Sequence, residues 1–398
     1  MGVDDHPADP YGFTSLDMSW LRAKPGVKWH RSRGANLAAW VADMDFPPPG
    51  VVIDRLRGYL AAGDLGYPDF RDGTGLRELF AARMAARHGW SPDPSHTREI
   101  CDVVQGVRLA VHLSSAPGDG IAFHTPSYPP FLATARTMER PFVPIRAVRT
   151  AEGWTFDVDR FRHDLRTQPC RVLVLCNPHN PTGRVFTPAE LEELAEIALA
   201  HDMVVVSDEI HAELVYAPHV HVPFASLSDE VAARTITLTS ATKAFNLAAV
   251  RCAVVHFGHA GVRAAFDAAP VHLYGAVSPF GVFATEAAWT EGDDWQRAVV
   301  ARLDANRQLV GELLAGWPAL AATDYAVPEA TYLAWLDFRA SGGGDEPAAV
   351  FSEAGIELSP GVDFGEQGTG FARLNFATSP GVLADLVRAL ALALAPAR

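Results

Sequence analysis

Three short apolar runs in this chain each end in a cluster of polar residues able to do chemistry. Arg171-Val-Leu-Val-Leu-Cys176 stops at Asn177-Pro178, with Asn180 and Gly183 just beyond. Met203-Val-Val-Val206 ends at Ser207-Asp208, and His211 follows. Thr235–Thr239 ends at Ser240, with Thr242 and Lys243 close behind. Apolar runs of this length bounded by turn residues read as buried strands. In open parallel sheets, ligands sit outside the carboxyl ends of the strands. The clusters 177–183, 207–211 and 240–246 are therefore expected to converge on one site. A lone lysine is most often a solvated surface residue. Lys243, however, directly follows a buried-type strand and precedes Ala244-Phe245, where an unpaired ammonium is costly. Asp208 ends an all-apolar strand, where an acid is either a helix N-cap or a buried counter-ion. The residues alone leave both open.

The elements that position these clusters alternate strand and helix, which calls for a mostly parallel sheet. Thr187-Pro-Ala-Glu190 starts a helix: Thr at the N-cap, Pro at the first position, Glu closing a capping box. It runs through Leu191, Leu194 and Ile197 to about His201. Gly75–Arg87 reads as an amphipathic helix closed by Gly89, and Ile121–His124 as a strand ending in Thr125-Pro-Ser-Tyr-Pro-Pro130. A helical stretch from about Pro279 to Leu314 leads toward a smaller domain with strands over Tyr332–Phe338 and Ala372–Phe376 and a final helix. Ser341-Gly-Gly-Gly344 is a flexible loop. The expected division is an N-terminal segment over 1–50 joining the small domain, a large domain over 51–285, and an interdomain helix with the small domain over 286–398.

With 398 residues, the chain exceeds what one hydrophobic core usually organises. A formal charge of −14 argues against nucleic-acid or anionic-membrane partners, which reward clustered Lys and Arg. Met1–Pro10 is polar and acidic, unlike a signal peptide, and the Ala/Leu-rich stretch Val382–Pro396 is too short to span a bilayer. A cytoplasmic protein is expected. Cys101, Cys170, Cys176 and Cys252 form no Cys-x-x-Cys pair and read as buried, reduced thiols. His219-Val-His221, His112 and His124 lack a third ligand at a useful spacing, so no metal site is expected.

Taken in order, several segments resemble one family. Asn177-Pro-His-Asn-Pro-Thr-Gly183, Ser207-Asp-Glu-Ile-His211 and Ser240-Ala-Thr-Lys-Ala-Phe-Asn-Leu247 are similar to the core motifs of fold-type I pyridoxal 5′-phosphate (PLP) enzymes, the aspartate aminotransferase superfamily. More narrowly, these motifs resemble the cystathionine β-lyase branch related to the maltose-regulon modulator, with further matches at Trp40-Val-Ala-Asp-Met-Asp-Phe46, Ala330–Asp337, Phe364-Gly365 and Gly370-Phe-Ala-Arg-Leu-Asn375. The implied fold is α/β: a mostly parallel, seven-stranded-type sheet sandwiched by helices, plus a smaller α/β domain.

The resemblance implies a role for each position. Lys243 carries PLP on its ε-amino group and then acts as base at the substrate Cα, two jobs suited to a buried lysine of lowered pKa. Asp208 pairs with the pyridine nitrogen, Asn180 bonds the phenolic oxygen and the substrate carboxylate, and Tyr128 stacks on the ring. Ser240, Thr242 and Arg251, with backbone amides at Val107 and Arg108 at the start of a helix, hold the phosphate. Tyr67 reaches the phosphate of a neighbouring subunit, which implies a homodimer with shared active sites. Arg373 grips the substrate α-carboxylate. Two departures stand out: Arg108 replaces the second Val of a usual Gly-Val-Val, and Trp29-His30 stands where the family more often has Trp-Asp.

His211, three residues after Asp208, occupies a place where aminotransferases commonly have Tyr and the lyase branch has His. The reading that follows is β-elimination from an S-substituted cysteine, giving thiol, pyruvate and ammonia. The alternatives are an aminotransferase or decarboxylating oxidative deaminase on a similar amino acid, including the natural-product setting of lincosamide biosynthesis, and a regulatory role through protein contact.

Overall fold

The computed structural model describes residues 9–32, 37–70, 73–270 and 273–395. Most of Met1–Pro10 lies outside them, as does Pro396. The apolar runs form the strands of one sheet: β1 (Thr97–Ile100), β2 (Gly120–Thr125), β3 (Phe142–Thr150), β4 (Gly153–Phe156), β5 (Cys170–Cys176), β6 (Val204–Asp208), β7 (Thr235–Thr239) and β8 (Ala253–Phe257). Their order across the sheet is β1-β8-β7-β6-β5-β2-β3-β4. The sheet has eight strands where seven were expected, because β4 folds back on β3 as an antiparallel hairpin. The central strands β7, β6, β5, β2 and β3 are mutually parallel, and β8 and β1 close the other edge antiparallel.

Both faces of the sheet are covered. Val172, Val174, Val206, Ile236 and Leu238 pack on one side with the helix Val103–Ser114, while Leu173, Leu175 and Val205 pack on the other with Leu191 and Leu194 of the helix Pro188–Ala200. Each such side chain contributes roughly 2 kcal/mol of burial, which fixes the strand ends and hence the polar clusters. The capping box is present: the Thr187 side chain accepts from the Glu190 amide, and the Glu190 carboxylate accepts from the Thr187 amide. The stretch from Pro279 is two helices, Pro279–Glu291 and Asp293–Gly316, divided at Gly292.

A second sheet uses β9 (Asp324–Tyr325), β10 (Leu333–Asp337), β11 (Ser359–Pro360) and β12 (Phe371–Asn375), in the order β9-β10-β12-β11 and antiparallel throughout. Leu37–Ala38 pairs with Ile356–Glu357, so the N-terminal segment adds to this part of the molecule. Among the described residues no helix is long and apolar enough to cross a membrane.

Candidate active site

The register of the parallel strands brings the polar clusters together. Cys176 lies opposite Asp208, and Asp208 opposite Leu238, so the three strand ends finish level. Hydrogen bonds between the turns continue the ladder: the Asn177 amide donates to Asp208 O over 3.0 Å, and the Glu209 amide to Leu238 O over 2.8 Å. At Gly183, φ is +71° and an added Cβ would stand 2.3 Å from Pro328 Cβ. Glycine lets the 177–183 turn press onto 328–330, where the Glu329 and Ala330 amides donate to Gly183 O.

A cavity of 830 Å³ opens at these ends, lined by Tyr128, Asn180, Asp208, His211, Ser240, Thr242, Lys243 and Arg251. Lys243 Nζ donates to Ala42 O over 2.7 Å. Burial lowers its pKa, with Asp43 and Asp208 opposing the shift and Arg373 adding to it. Asp208 is buried and accepts from the Ile210 amide over 3.1 Å. Burial lifts its carboxyl to about 7, and the neighbouring Glu209 pushes the same way. Glu209 is itself held by Ser207 Oγ, the Phe224 amide and His221. Asp208 is thus both an Asx-type cap and a buried acid facing the cavity. Burial drops His211 to about 3, so its ring is neutral, and its Nδ1 has no partner among the described residues.

Arg373 sits on β12 between Trp335 of β10 and Ser359 of β11. Its guanidinium donates to Asn180 Oδ1 over 2.9 Å, to Ser359 Oγ over 3.0 Å and to Trp40 O over 3.1 Å. It lies 4.9 Å from the Phe364 ring centre, and burial lowers its pKa to about 10, which leaves it charged at neutral pH. Its Nε is buried without a partner. Tyr128 caps the helix Pro129–Thr137, and burial raises its phenol pKa.

One placement corrects the sequence reading. Val107 and Arg108 do not begin a helix. Asp102 is the N-cap of the helix Val103–Ser114, so Val107 and Arg108 lie in its second turn, where backbone amides serve the helix ladder. The amides open to a ligand are those of Val103 and Val104. The signal was legible, since an Asp before Val103-Val104-Gln105 is a cap pattern. Arg108 instead turns its side chain to the cavity wall, with Nε 3.4 Å from Thr134 Oγ1. Arg251 pairs with the Asp102 carboxylate. Ser240 Oγ lies 2.6 Å from Cys252 O and 3.0 Å from Thr242 Oγ1. Cys101 is half-buried at the cavity wall rather than buried, whereas Cys170, Cys176 and Cys252 are buried free thiols. Trp29 is a core residue, donating to Asp45 Oδ1 over 2.7 Å. Tyr67 is fully exposed and lies outside the cavity lining.

The lining fits PLP. An acid that burial biases toward protonation suits a basic ring nitrogen, and the buried, unpartnered His211 Nδ1 beside it suits a further hydrogen bond. Two hydroxyls, a guanidinium and two helix-terminal amides suit a phosphate.

The sequence matches the family described as aminotransferase class I and II over residues 64–390. The chain belongs to that family. Within it, the aminotransferase-family chain is 32% identical over 378 residues to cystathionine β-lyase PatB of Bacillus subtilis, covering 92% of this chain and 96% of that one. It is 30% identical over 340 residues to protein MalY of Escherichia coli, covering 84% and 85%. The crystal structure of cystalysin from Treponema denticola, described as containing a pyridoxal 5′-phosphate cofactor, matches with a TM-score of 0.89 at 28% identity, covering 96% and 98%.

Proposed function

We propose that this aminotransferase-family enzyme uses PLP to cleave the carbon–sulfur bond of an S-substituted cysteine by β-elimination, releasing thiol, pyruvate and ammonia. One observation carries the reading: the Lys243 amine, the buried Asp208 carboxyl and the neutral His211 ring line one cavity, and the Arg373 guanidinium holds Asn180 of its wall. The cystathionine β-lyase relative and the similarity to cystalysin support the same chemistry.

Bound PLP supplies an electron sink for the carbanion formed at the substrate Cα. Lys243 would hold the cofactor through its amine and, once free, take the Cα proton. Asp208 would keep the ring nitrogen protonated. His211 would hydrogen-bond the phenolic oxygen, and Asn180 would bond both that oxygen and the substrate carboxylate. Arg373 binds the carboxylate and orients the Cα–H bond for removal. Tyr128, in the cavity wall, would pack against the ring face. Ser240, Thr242, Arg251 and the Val103 and Val104 amides hold the phosphate.

Tyr67 lies free of its own chain's cavity and serves the site of a second copy, making the working unit a homodimer. Incubation with an S-substituted cysteine tests the reaction: thiol and pyruvate should appear in equal amounts. A sulfur-retaining keto acid, with no thiol, rejects the lyase reading in favour of transamination.

A further inference from the structure

The segment Trp40–Phe46 is pinned along its whole length. Trp40 O accepts from Ser359 and Arg373, Val41 O from Asn375, Ala42 O from Lys243 and Tyr332, and Asp43 O from Lys28 and Asn375. Met44 O and Phe46 O accept from Asn246, and Asp45 O from Lys24. The Asp45 carboxylate adds a buried pair with Lys28 at 3.0 Å. Seven consecutive carbonyls, held by side chains of the small sheet, of the segment after β7 and of the N-terminal segment, make a rigid ledge, because each shift would strand buried polar groups.

This ledge fixes two groups against Lys243. Ala42 O receives the amine at 2.7 Å, and its other partner, the Tyr332 hydroxyl, also stands at 2.7 Å. The Asp43 carboxylate lies 3.9 Å from Lys243 Nζ, too far for a hydrogen bond but close enough for charge to act. Among the described residues no other carboxylate comes within 4.0 Å of that nitrogen. Asp208 approaches from β6, Arg373 from β12 and His211 from the turn after β6. Lys24, Lys28 and Tyr332 also act on Asp43, Lys28 through a bond to its carbonyl.

We propose that Asp43 is a positioning residue for Lys243, holding the lysine's protonated form in place between taking the proton from the substrate Cα and giving it to the departing sulfur. The inference rests on the β-elimination reading. The Cα–H bond breaks and an N–H bond forms on Lys243. The C–S bond then breaks with its electron pair on sulfur, and the proton passes from Lys243 to that sulfur. Asp43 enters no bond in these steps and acts only on the transient ammonium charge, across 3.9 Å.

The test uses the PLP-loaded protein and the variants D43N, D43S and D43E. A spectrophotometric pH titration of the Lys243-linked chromophore reads the basicity of that nitrogen directly. Loss of an opposite charge at this range should lower its midpoint by about one pH unit in D43N, with D43E restoring most of it. Thiol release should show kcat reduced about tenfold or more in D43N, with KM little changed, because Asp43 touches the lysine and not the substrate. Should D43N fail to fold, D43S carries the same comparison. An unchanged midpoint and kcat in a variant that keeps its cofactor overturn the assignment, while wild-type thiol release still stands. Failure of the wild-type protein to release thiol sinks the lyase reading instead, and the spectral midpoint then still decides whether Asp43 acts on Lys243.

Discussion

Arg373 Nη1 donates to Asn180 Oδ1 over 2.9 Å, tying the last strand of the small sheet to the turn after β5 in the large one. The pair is held further by Ser359 and Trp40, so the guanidinium is oriented before any ligand arrives. An α-carboxylate bound here would be gripped in a planar, two-pronged way, which lysine cannot copy. R373K should therefore lose about a hundredfold or more in kcat/KM, mostly through KM. Steady-state thiol release measures this, and an unchanged KM would remove Arg373 from substrate binding.

Asp208 gives a stability signature. Its carboxyl rises from 3.8 to about 7 on burial, so the folded state binds its proton more tightly than the unfolded chain. That contribution is fully present below the unfolded value and is lost as pH climbs from about 4 through about 7. D208N removes the titration. In cofactor-free protein, D208N should match wild type near pH 4 and exceed it by roughly 2–4 kcal/mol above pH 8. Denaturant unfolding at the two pH values checks this. PLP binding should shrink the difference, since the protonated ring nitrogen pairs with the wild-type acid only.

His211 bears on which way the reaction goes. Its neutral ring and free Nδ1 suit a hydrogen bond to the cofactor's phenolic oxygen. H211Y should lower the ratio of thiol released to pyridoxamine form accumulated by about tenfold. Absorbance and thiol assay on one sample give the ratio, and an unaltered ratio would make His211 a packing residue.

Tyr67 tests the shared site. If each cavity needs Tyr67 of the second copy, then K243A and Y67F protein, mixed and refolded together, should regain thiol release above the sum of the two alone. Sums without gain would mean that each chain works by itself.

The large sheet was legible because its strands are unbroken apolar runs closed by turn residues, and the Thr187 helix because its cap pattern is local. Lys243, Asp208, Asn180 and His211 could be placed together because all stand at the ends of adjacent parallel strands. The β3–β4 hairpin was missed: β3 spans Phe142–Thr150 with Pro144 and two arginines, so its alternation is weak. The phosphate-side amides lie one turn before Val107, because the cap at Asp102 and not Gly106 starts the helix. Ser359 carried no signal, since its role arises only when β11 lies beside β12. Asp43 was visible within a motif, yet only the folded segment shows its carboxylate turned to Lys243.

The chain contains three lysines, Lys24, Lys28 and Lys243, and the first two bond to the carbonyls of Asp45 and Asp43. Borohydride reduction of the PLP-loaded protein, followed by peptide mass mapping, therefore tests the central claim with little ambiguity. The account predicts one phosphopyridoxyl group on the peptide carrying Lys243 and none on the others. An adduct confined to Lys24 or Lys28, or no adduct with PLP in excess, would contradict it.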